Sequence, residues 1–320
     1  MIVISSALAK YKVLIEKVNT AIRNKNTIRR ILIPRLVCRF HFTNVTGFQN
    51  FSTAGLIERF SEDIDLILDW RELGYGINEP WETRSNTKQQ KFIDDSRDRL
   101  FKFLKMYFLP SFKNGLEKEL ERELDVYIDK NDPGTVCFKY PAFFEDGSIL
   151  KIIRLEIGAL AAWTPAQKIY IRSYAADFYP SIFTVRETEV MTTTPERTFW
   201  EKATILHQES FRPENSIIPN RYSRHYYDLY CLAKSGVMKL AISRPELLNE
   251  VADFKSKFYP RNWARYDLAR IGTIKLCPAL HSIERLKKDY KEMANMIYGT
   301  KPSFEELMDF IQKLENEINK

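Results

Sequence analysis

One short segment predicts the centre of the fold: Phe60-Ser61-Glu62-Asp63-Ile64-Asp65-Leu66-Ile67-Leu68-Asp69-Trp70. Its alternating isoleucine and leucine residues predict a short β-strand with one apolar face. Asp63 and Asp65 are two residues apart, so they share the opposite face. Two carboxylates about 4 Å apart repel by roughly 1 kcal/mol in water, and by several times more in a half-buried cleft, unless a cation lies between them. The pair therefore predicts a site for Mg²⁺ or Mn²⁺, which prefer oxygen ligands.

The same pair has a plainer interpretation, in which the strand is amphipathic and its aspartates face water. Sites that transfer phosphoryl or nucleotidyl groups often hold their metal with an Asp-x-Asp on an apolar strand, because hard cations bridge carboxylates and a triphosphate. The spacing alone does not choose between these interpretations.

Three blocks of sequence, at residues 55–66, 194–207 and 221–230, resemble motifs of the AbiEii-type nucleotidyltransferase toxins. Residues 55–66 resemble the second half of motif I of that family, and residues 194–207 resemble its lysine motif. Residues 221–230 resemble its last motif. The blocks occur in the family's order and extend over more than half of the chain. The resemblance implies an α+β fold, in which a nucleotidyltransferase-like mixed sheet with helices is followed by a helical C-terminal region.

The resemblance also implies a division of the chain and a set of functional residues. We expect a divergent basic segment at 1–54, the α/β core at 55–190 and a helical domain at 191–320. The implied metal ligands are Asp63, Asp65 and Glu156, and the implied catalytic residues are these three with Lys202 and Asp228. The implied nucleotide-binding residues are Ser61, Lys202 and Arg224.

Two of these residues also have ordinary structural explanations. Glu156 is the acid in an apolar strand predicted at 149–158, where it is the natural third carboxylate or a partner of Arg154. Lys202 lies on a helix that begins with a Thr194 cap and Pro195, and a lysine on a helix surface is usually solvated.

Arg224 and Asp228 are spaced to lie on one face of a helix that follows Ser223. An exposed ion pair of this kind stabilises a helix by only ~0.3–0.5 kcal/mol. Stability alone is thus a weak reason for the pair, and the resemblance makes Asp228 a functional acid with Arg224 as its neighbour or as a phosphate contact.

The biological setting is implied by the resemblance alone. It is an abortive-infection toxin-antitoxin system that acts in phage defence. In such a system the donor is an NTP, the acceptor is a tRNA in some relatives, and a cognate antitoxin is encoded nearby.

The positive charge of the chain is concentrated in its first residues. Residues 1–50 carry nine Lys or Arg and one acid, whereas the whole chain of 320 residues has a net charge of +7. Residues 51–320 therefore sum to −1, and the sequence pI near 9.0 does not make the main fold a basic nucleic-acid binder.

Composition excludes other classes of protein. The four cysteines and four histidines are scattered without metal-ligand spacing, so reduced thiols are expected. No apolar run reaches membrane-spanning length, and the apolar residues 2–4 are too short for a secretory signal, so we expect a cytoplasmic protein without membrane association.

The segment before residue 55 departs from the family pattern. Members usually carry a Gly-Gly-Thr/Ser turn here, whose backbone amides hold phosphate. This chain has Thr46-Gly47-Phe48-Gln49-Asn50-Phe51-Ser52, which keeps one glycine. The segment is either the product of a shifted reading frame or a genuine basic helical region, and the sequence leaves both open.

Three functions follow from these observations. The first is a metal-dependent nucleotidyltransferase toxin. The second is a family remnant that has lost catalysis with its glycine-rich turn and acts only as a binding or interaction protein. The third is a nucleic-acid-binding module that uses the basic N-terminal residues.

Periodicity predicts most of the remaining elements. A helical region at 88–124, broken by Pro110, is followed by strands at 126–128 and 136–138, and a further strand is predicted within 169–183. The C-terminal hundred residues are predicted to be helical. The last helix is predicted to have a capping box of Ser303 and Glu306 at its start and an apolar stripe along one side.

Overall fold

A computed structural model describes residues 40–45, 56–59, 63–139, 152–160, 165–172, 179–182, 186–297 and 299–320. Ser61 and residues 46–52 lie outside these ranges, and for Asp63 only the backbone is described. The fold is mixed α+β with a helical C-terminal region, as predicted.

The strands of the described residues form one seven-stranded sheet in the order β3-β4-β5-β2-β1-β7-β6. The strands β2 and β5 are parallel, as are β1 and β7, and the other neighbours are antiparallel. Their bounds are Phe40–Val45 for β1, Asp63–Leu68 for β2, Asp125–Ile128 for β3, Thr135–Lys139 for β4, Ile152–Gly158 for β5, Ala166–Arg172 for β6 and Glu187–Thr193 for β7.

Strand β1 lies within residues 1–54, the segment that does not resemble the family. It lies between β2 and β7, and its residue Phe42 is paired with Leu66 of β2 on one side and with Thr192 of β7 on the other. At least these six residues of the first 54 therefore belong to the central sheet.

Two differences from prediction concern the strands that follow β5. Strand β6 ends at Arg172, and a short 3₁₀ turn occupies Pro180–Ile182, so the strand predicted within 169–183 is shorter and begins earlier. Strand β7 was not predicted, because its threonine and glutamate residues give it little apolar alternation.

The apolar face of the sheet is covered by two helices, α1 (Asn86–Phe103) and α2 (Leu109–Leu120). They are joined by a π-helical turn at Leu104–Phe108, and Pro110 follows this turn as the second residue of α2. Apolar side chains of the sheet and of these helices pack together in one core. Its members include Leu66, Leu68, Val136, Leu155, Ile157, Phe92, Leu100, Leu104 and Phe108. The helical run is therefore not broken at Pro110 as predicted, because it continues through the π-turn that precedes this proline.

The C-terminal helices form a second core. Their bounds are Pro195–Ser210 for α3, Arg224–Lys234 for α4, Val237–Ile242 for α5, Pro245–Phe258 for α6, Ile283–Met293 for α7 and Phe304–Ile318 for α8. The capping box of Ser303 and Glu306 is present, and the predicted stripe of α8 is buried along its whole length. Trp200, fully buried on α3, anchors this core by donating its indole N–H to the Ala241 carbonyl.

Helix α6 connects the two cores. Its residues Phe254 and Phe258 belong to the core of the sheet, where both rings pack against Trp81. Lys257 donates hydrogen bonds to the carbonyl oxygens of Trp81 and Glu82, at 2.9 and 2.7 Å. These contacts fix the helical region against the sheet and so fix the positions of α3 and α4.

Candidate active site

Strands β2 and β5 bring two of the predicted carboxylates together. Asp65 lies directly opposite Glu156 in the parallel register, and adjacent strands are about 4.8 Å apart. Ile64 and Leu66 pack into the core on the other face, so both carboxylates are on the face that α1 and α2 leave uncovered. Asp65 is half-buried, and the Glu156 side chain is 41% exposed.

The third carboxylate of the predicted set lies only partly within the described structure. Asp63 begins β2, and its backbone is paired with Arg154, but its side chain is outside the described residues. Among the side chains that are described, no group of three His, Cys, Asp or Glu is arranged to hold a metal ion. A metal site of Asp63, Asp65 and Glu156 therefore stays a prediction. Two of these residues, Asp65 and Glu156, lie opposite each other on neighbouring strands.

Arg154 lies on the same face of β5 as Glu156. Its Nε is 3.6 Å from Glu156 Oε1, and its Nη1 donates to Asp129 Oδ2 at 2.7 Å. The backbone amide of Asn131 and the Arg154 guanidinium lower the pKa of Asp129. The ion pair considered for Glu156 from sequence is therefore present, and the carboxylate lies both beside a cation and opposite Asp65.

Lys202, Asp228 and Arg59 form a buried ion triad. The Asp228 carboxylate is fully buried and accepts hydrogen bonds from Arg59 Nε at 2.6 Å and from Arg59 Nη2 at 2.8 Å. The Lys202 ammonium is 3.1 Å from Asp228 Oδ2, and both cations are almost fully buried. Helix α3 positions Lys202, helix α4 positions Asp228, and the short segment 56–59 positions Arg59. The triad carries a net charge of +1.

The two cations control the ionisation of Asp228. Burial alone would raise the pKa of this carboxyl, but the charges of Arg59 and Lys202 outweigh burial and hold its pKa well below the usual value. Burial would lower the pKa of Arg59, but the charge and hydrogen bonds of Asp228 outweigh burial and raise it, and the charge of Asp65 contributes slightly in the same direction. Arg59 therefore links the triad electrostatically to the carboxylate strand.

This arrangement changes the roles expected for two residues. From the sequence, Lys202 could have been a solvated lysine on the helix surface. In the structure it is buried and forms an ion pair with Asp228. The strong cationic partners of Asp228 are Arg59 and Lys202, and the half-exposed Arg224 lies one turn earlier, in the first turn of α4. Sequence reasoning assigned no role to Arg59, although an arginine within the mostly apolar run 56–60 is a signal for a buried ion pair.

His225 lies beside the triad and is also buried. Its Nδ1 has no hydrogen-bond partner among the described residues, and its ring packs edge-on against Tyr222 with centroids 4.9 Å apart. Burial and the neighbouring charges of Lys202 and Arg224 lower the pKa of His225 well below its usual value. The imidazole is therefore neutral at pH 7, and the titration near neutrality that its side chain would show in water does not occur here.

The segment that carries Arg59 is held by the C-terminal region. Arg59 forms an isolated antiparallel bridge with Ile297, and Gly299 donates its N–H to the Glu58 carbonyl at 3.2 Å. Leu56 and Ile57 pack against the helical core. The beginning of the first sequence block therefore docks on the same unit that supplies Lys202 and Asp228.

We expect Gly299→Ala to weaken this docking. A Cβ atom at Gly299 would overlap the Cβ and the carboxyl group of Glu58, so the two segments would have to separate. Overpacking of this kind destabilises by about 1–3 kcal/mol, which urea unfolding would measure. Gly76→Ala is the matched control, because its new Cβ would make only ordinary contacts at 3.7 Å. Equal stability of the two variants would contradict the close approach.

Lys255 gives a prediction for pH dependence. It donates to the Glu201 carbonyl at 3.1 Å; burial, with Arg197 and Lys202 nearby, lowers its pKa to about 7. Between that pH and the usual lysine pKa of about 10.4, the unfolded chain holds a proton that the folded chain lacks. Lys255 therefore contributes a rise in the free energy of unfolding with pH over this range, of at most about 1.4 kcal/mol per unit. Cys231 and Cys277, whose pKa values are raised by burial, contribute with the opposite sign, so the rise is read as the difference between the wild type and a Lys255 variant.

Chemical denaturation at several pH values would measure this rise. Lys255→Met should lack it, while Lys239→Met, at an exposed position, should keep it. If the stability curves of the wild type and Lys255→Met run parallel between pH 7 and pH 10, the lowered pKa is wrong.

A family model described as "Nucleotidyl transferase AbiEii toxin, Type IV TA system" matches residues 53–311. The chain belongs to the AbiEii nucleotidyltransferase toxin family. The matched range includes the whole of the three sequence blocks that resemble the family's motifs, and it contains all three residues of the buried ion triad. A comparison with curated proteins found no match.

Membership of the AbiEii family places the chain in a type IV toxin-antitoxin system, in which a toxin has an antitoxin partner. None of the helices in the described part of the chain has both the length and the apolar character needed to span a lipid bilayer. In this AbiEii member the candidate residues form two groups, which are the carboxylate pair on β2 and β5 and the buried ion triad.

Proposed function

We propose that this chain is a metal-dependent nucleotidyltransferase that transfers a nucleotide from an NTP to a tRNA acceptor. The observation that carries the proposal is the pairing of Asp65 with Glu156 on adjacent parallel strands. The charge of Asp65 also makes a small contribution to the raised pKa of Arg59 in the triad. Two carboxylates on neighbouring strands are the kind of ligand that the metal of a bound triphosphate requires.

The donor set fits a hard divalent cation, because Asp65 and Glu156 offer carboxylate oxygens from neighbouring strands. Asp63, Asp65 and Glu156 would hold Mg²⁺ or Mn²⁺. When bound, the ion would neutralise charge on the triphosphate. Arg154, at 3.6 Å from Glu156, balances part of the carboxylate charge within the protein itself.

The protein groups around the carboxylates would act by alignment and charge. The triad has a net positive charge, which favours an anionic substrate in its vicinity. In this role Asp228 fixes the head groups of Lys202 and Arg59, so that neither must be ordered when a triphosphate binds. Ser61 and Arg224 are the proposed additional phosphate contacts. The proposed antitoxin is a protein encoded nearby.

The second candidate is a family remnant that acts only as a binding or interaction protein. Three candidate groups, Glu156, Lys202 and Asp228, already lie within ion-pair distance of protein groups of opposite charge. The altered residues 46–52 add to this argument, since they replace the glycine-rich turn of the family.

Labelling separates the two candidates. The full chain would be incubated with each labelled NTP and total tRNA, with Mg²⁺ in one arm and with EDTA in a matched arm. We expect label on RNA from at least one NTP with Mg²⁺ and none with EDTA, because the triphosphate would lack its bridging cation. No labelling by any NTP with either Mg²⁺ or Mn²⁺ would favour the remnant, and equal labelling in EDTA would contradict the metal dependence.

A further inference from the structure

A cavity of about 470 Å³ lies between α7 and the first turn of α8, outside the candidate active site. Its inner wall is apolar and is formed by Tyr290, Ala294, Ile297, Pro302 and Phe304. Tyr290, Ile297 and Phe304 are themselves buried, and the Tyr290 hydroxyl donates to the Pro302 carbonyl at 3.0 Å, which fixes the ring in place. The cavity therefore has a fixed apolar floor.

The rim of this cavity is basic. It carries four lysines against two acids, and these are Lys287, Lys288, Lys291, Lys301, Glu284 and Glu305. Lys287 is paired with Glu305 at 2.6 Å across the mouth. Lys291 and Lys301 are exposed and make no ion pair with any described residue. Two lysine head groups are thus left for a ligand at the edge of an apolar floor.

We propose that this cavity is a binding site for a nucleoside phosphate, with the base against the apolar floor and the phosphate at Lys291 and Lys301. A volume of this size is within the range of small-molecule pockets, which are mostly apolar with a few placed polar groups. Apolar and aromatic surfaces accept the face of any base, and lysine binds phosphate as a point charge. The ligand is either a free nucleotide or one nucleotide of an RNA strand, because both have this chemistry.

The position of the cavity connects it with the triad. Its wall residue Ile297 is bridged to Arg59, and Gly299 is hydrogen-bonded to Glu58. The next residue, Thr300, accepts a hydrogen bond from the Tyr227 hydroxyl on α4 at 3.2 Å. A ligand that fills the cavity would therefore contact the segment around Ile297, which holds Arg59 beside Asp228. Binding in this cavity requires no catalysis at the carboxylates of β2 and β5.

Calorimetric titration of the full chain with ATP, in EDTA to keep divalent cations away from the carboxylates, tests the site. The variant Lys291→Glu/Lys301→Glu should bind ATP at least about tenfold more weakly, because it turns two attractive charges into repulsive ones. The control Lys239→Glu/Lys313→Glu makes the same change of net charge at exposed positions elsewhere and should stay within about twofold of wild type. Equal affinities of the two double variants would overturn the proposal.

A second measurement uses only the wild type and so does not depend on how the variants fold. Acetylation of lysines, read by mass spectrometry, should be slowed by ATP at Lys291 and Lys301 and unchanged at Lys313. Unchanged acetylation at all three would overturn the proposal.

Other titrants identify the ligand. Tighter binding of a short oligoribonucleotide than of ATP would support an RNA strand as the occupant, and the reverse would support a free nucleotide. If inorganic pyrophosphate or an acidic peptide protects the two lysines as well as ATP does, the base has no part in binding and the proposal of a nucleoside phosphate is overturned.

Discussion

Asp228→Asn is expected to lower the free energy of unfolding by about 3–5 kcal/mol, because it leaves two buried cations without their counterion. The asparagine has nearly the same shape, so the loss comes from charge and not from packing. Arg59 and Lys202 are 3% and 6% exposed and cannot turn to water without opening the core. Urea unfolding followed by circular dichroism would measure the change.

The control for this variant is Asp309→Asn on the exposed face of α8, which should change stability by less than about 0.5 kcal/mol. In an Arg59→Met background the cost of Asp228→Asn should fall, since one of the stranded charges is gone. A loss of less than about 1 kcal/mol in the wild-type background would show that the triad does not hold the segment 56–59 in solution.

The triad also predicts acid behaviour. Because the folded pKa of Asp228 is held below its unfolded value, its stabilising contribution is full above pH 4 and is lost only as the pH falls further, through the folded pKa. The difference in stability between the wild type and Asp228→Asn should therefore be constant from pH 5 to pH 7.

Asp65→Ala is expected to reduce nucleotide transfer by at least about a hundredfold, while leaving the free energy of unfolding within about 1 kcal/mol of wild type. The side chain is half-buried on the face away from the apolar core, so its removal leaves no cavity there. Removal of a carboxylate opposite Glu156 would take away one of the groups proposed to hold the cation. The initial rate of labelling of tRNA would measure the effect.

Asp125→Ala is a matched control, because Asp125 is an exposed carboxylate at the start of β3 in the same sheet. It should keep the full rate. If Asp65→Ala labels RNA as fast as the wild type, Asp65 has no catalytic role, and any labelling must come from a site elsewhere.

Local periodicity was enough to predict the elements on which the site is built. Strand β2 was predicted from its alternating residues, and the start of α3 from Thr194 and Pro195. The capping box and stripe of α8 were predicted in the same way. Each of these signals lies within about fifteen residues, where side-chain spacing alone sets which face is buried. The position of Glu156 beside Asp65 followed from adding the family resemblance to an acid in an apolar strand.

The buried ion triad could not be predicted in this way. Arg59 and Asp228 are 169 positions apart, and no local pattern says which cation a distant carboxylate will meet. The spacing of Arg224 and Asp228 suggested a surface pair, because helix geometry is visible in a sequence and burial by other elements is not. Strand β7 was missed for a related reason, since its burial depends on β1 and β6 beside it.

The central place of β1 has a practical consequence for shortened forms of the protein. A truncation at residue 53, where the family match begins, would remove the strand that joins β2 to β7. The sheet would fall into a four-stranded and a two-stranded piece, each with a new edge of unpaired backbone groups. Such edges recruit strands from other molecules, so the shortened protein should precipitate or form oligomers where the full chain does not.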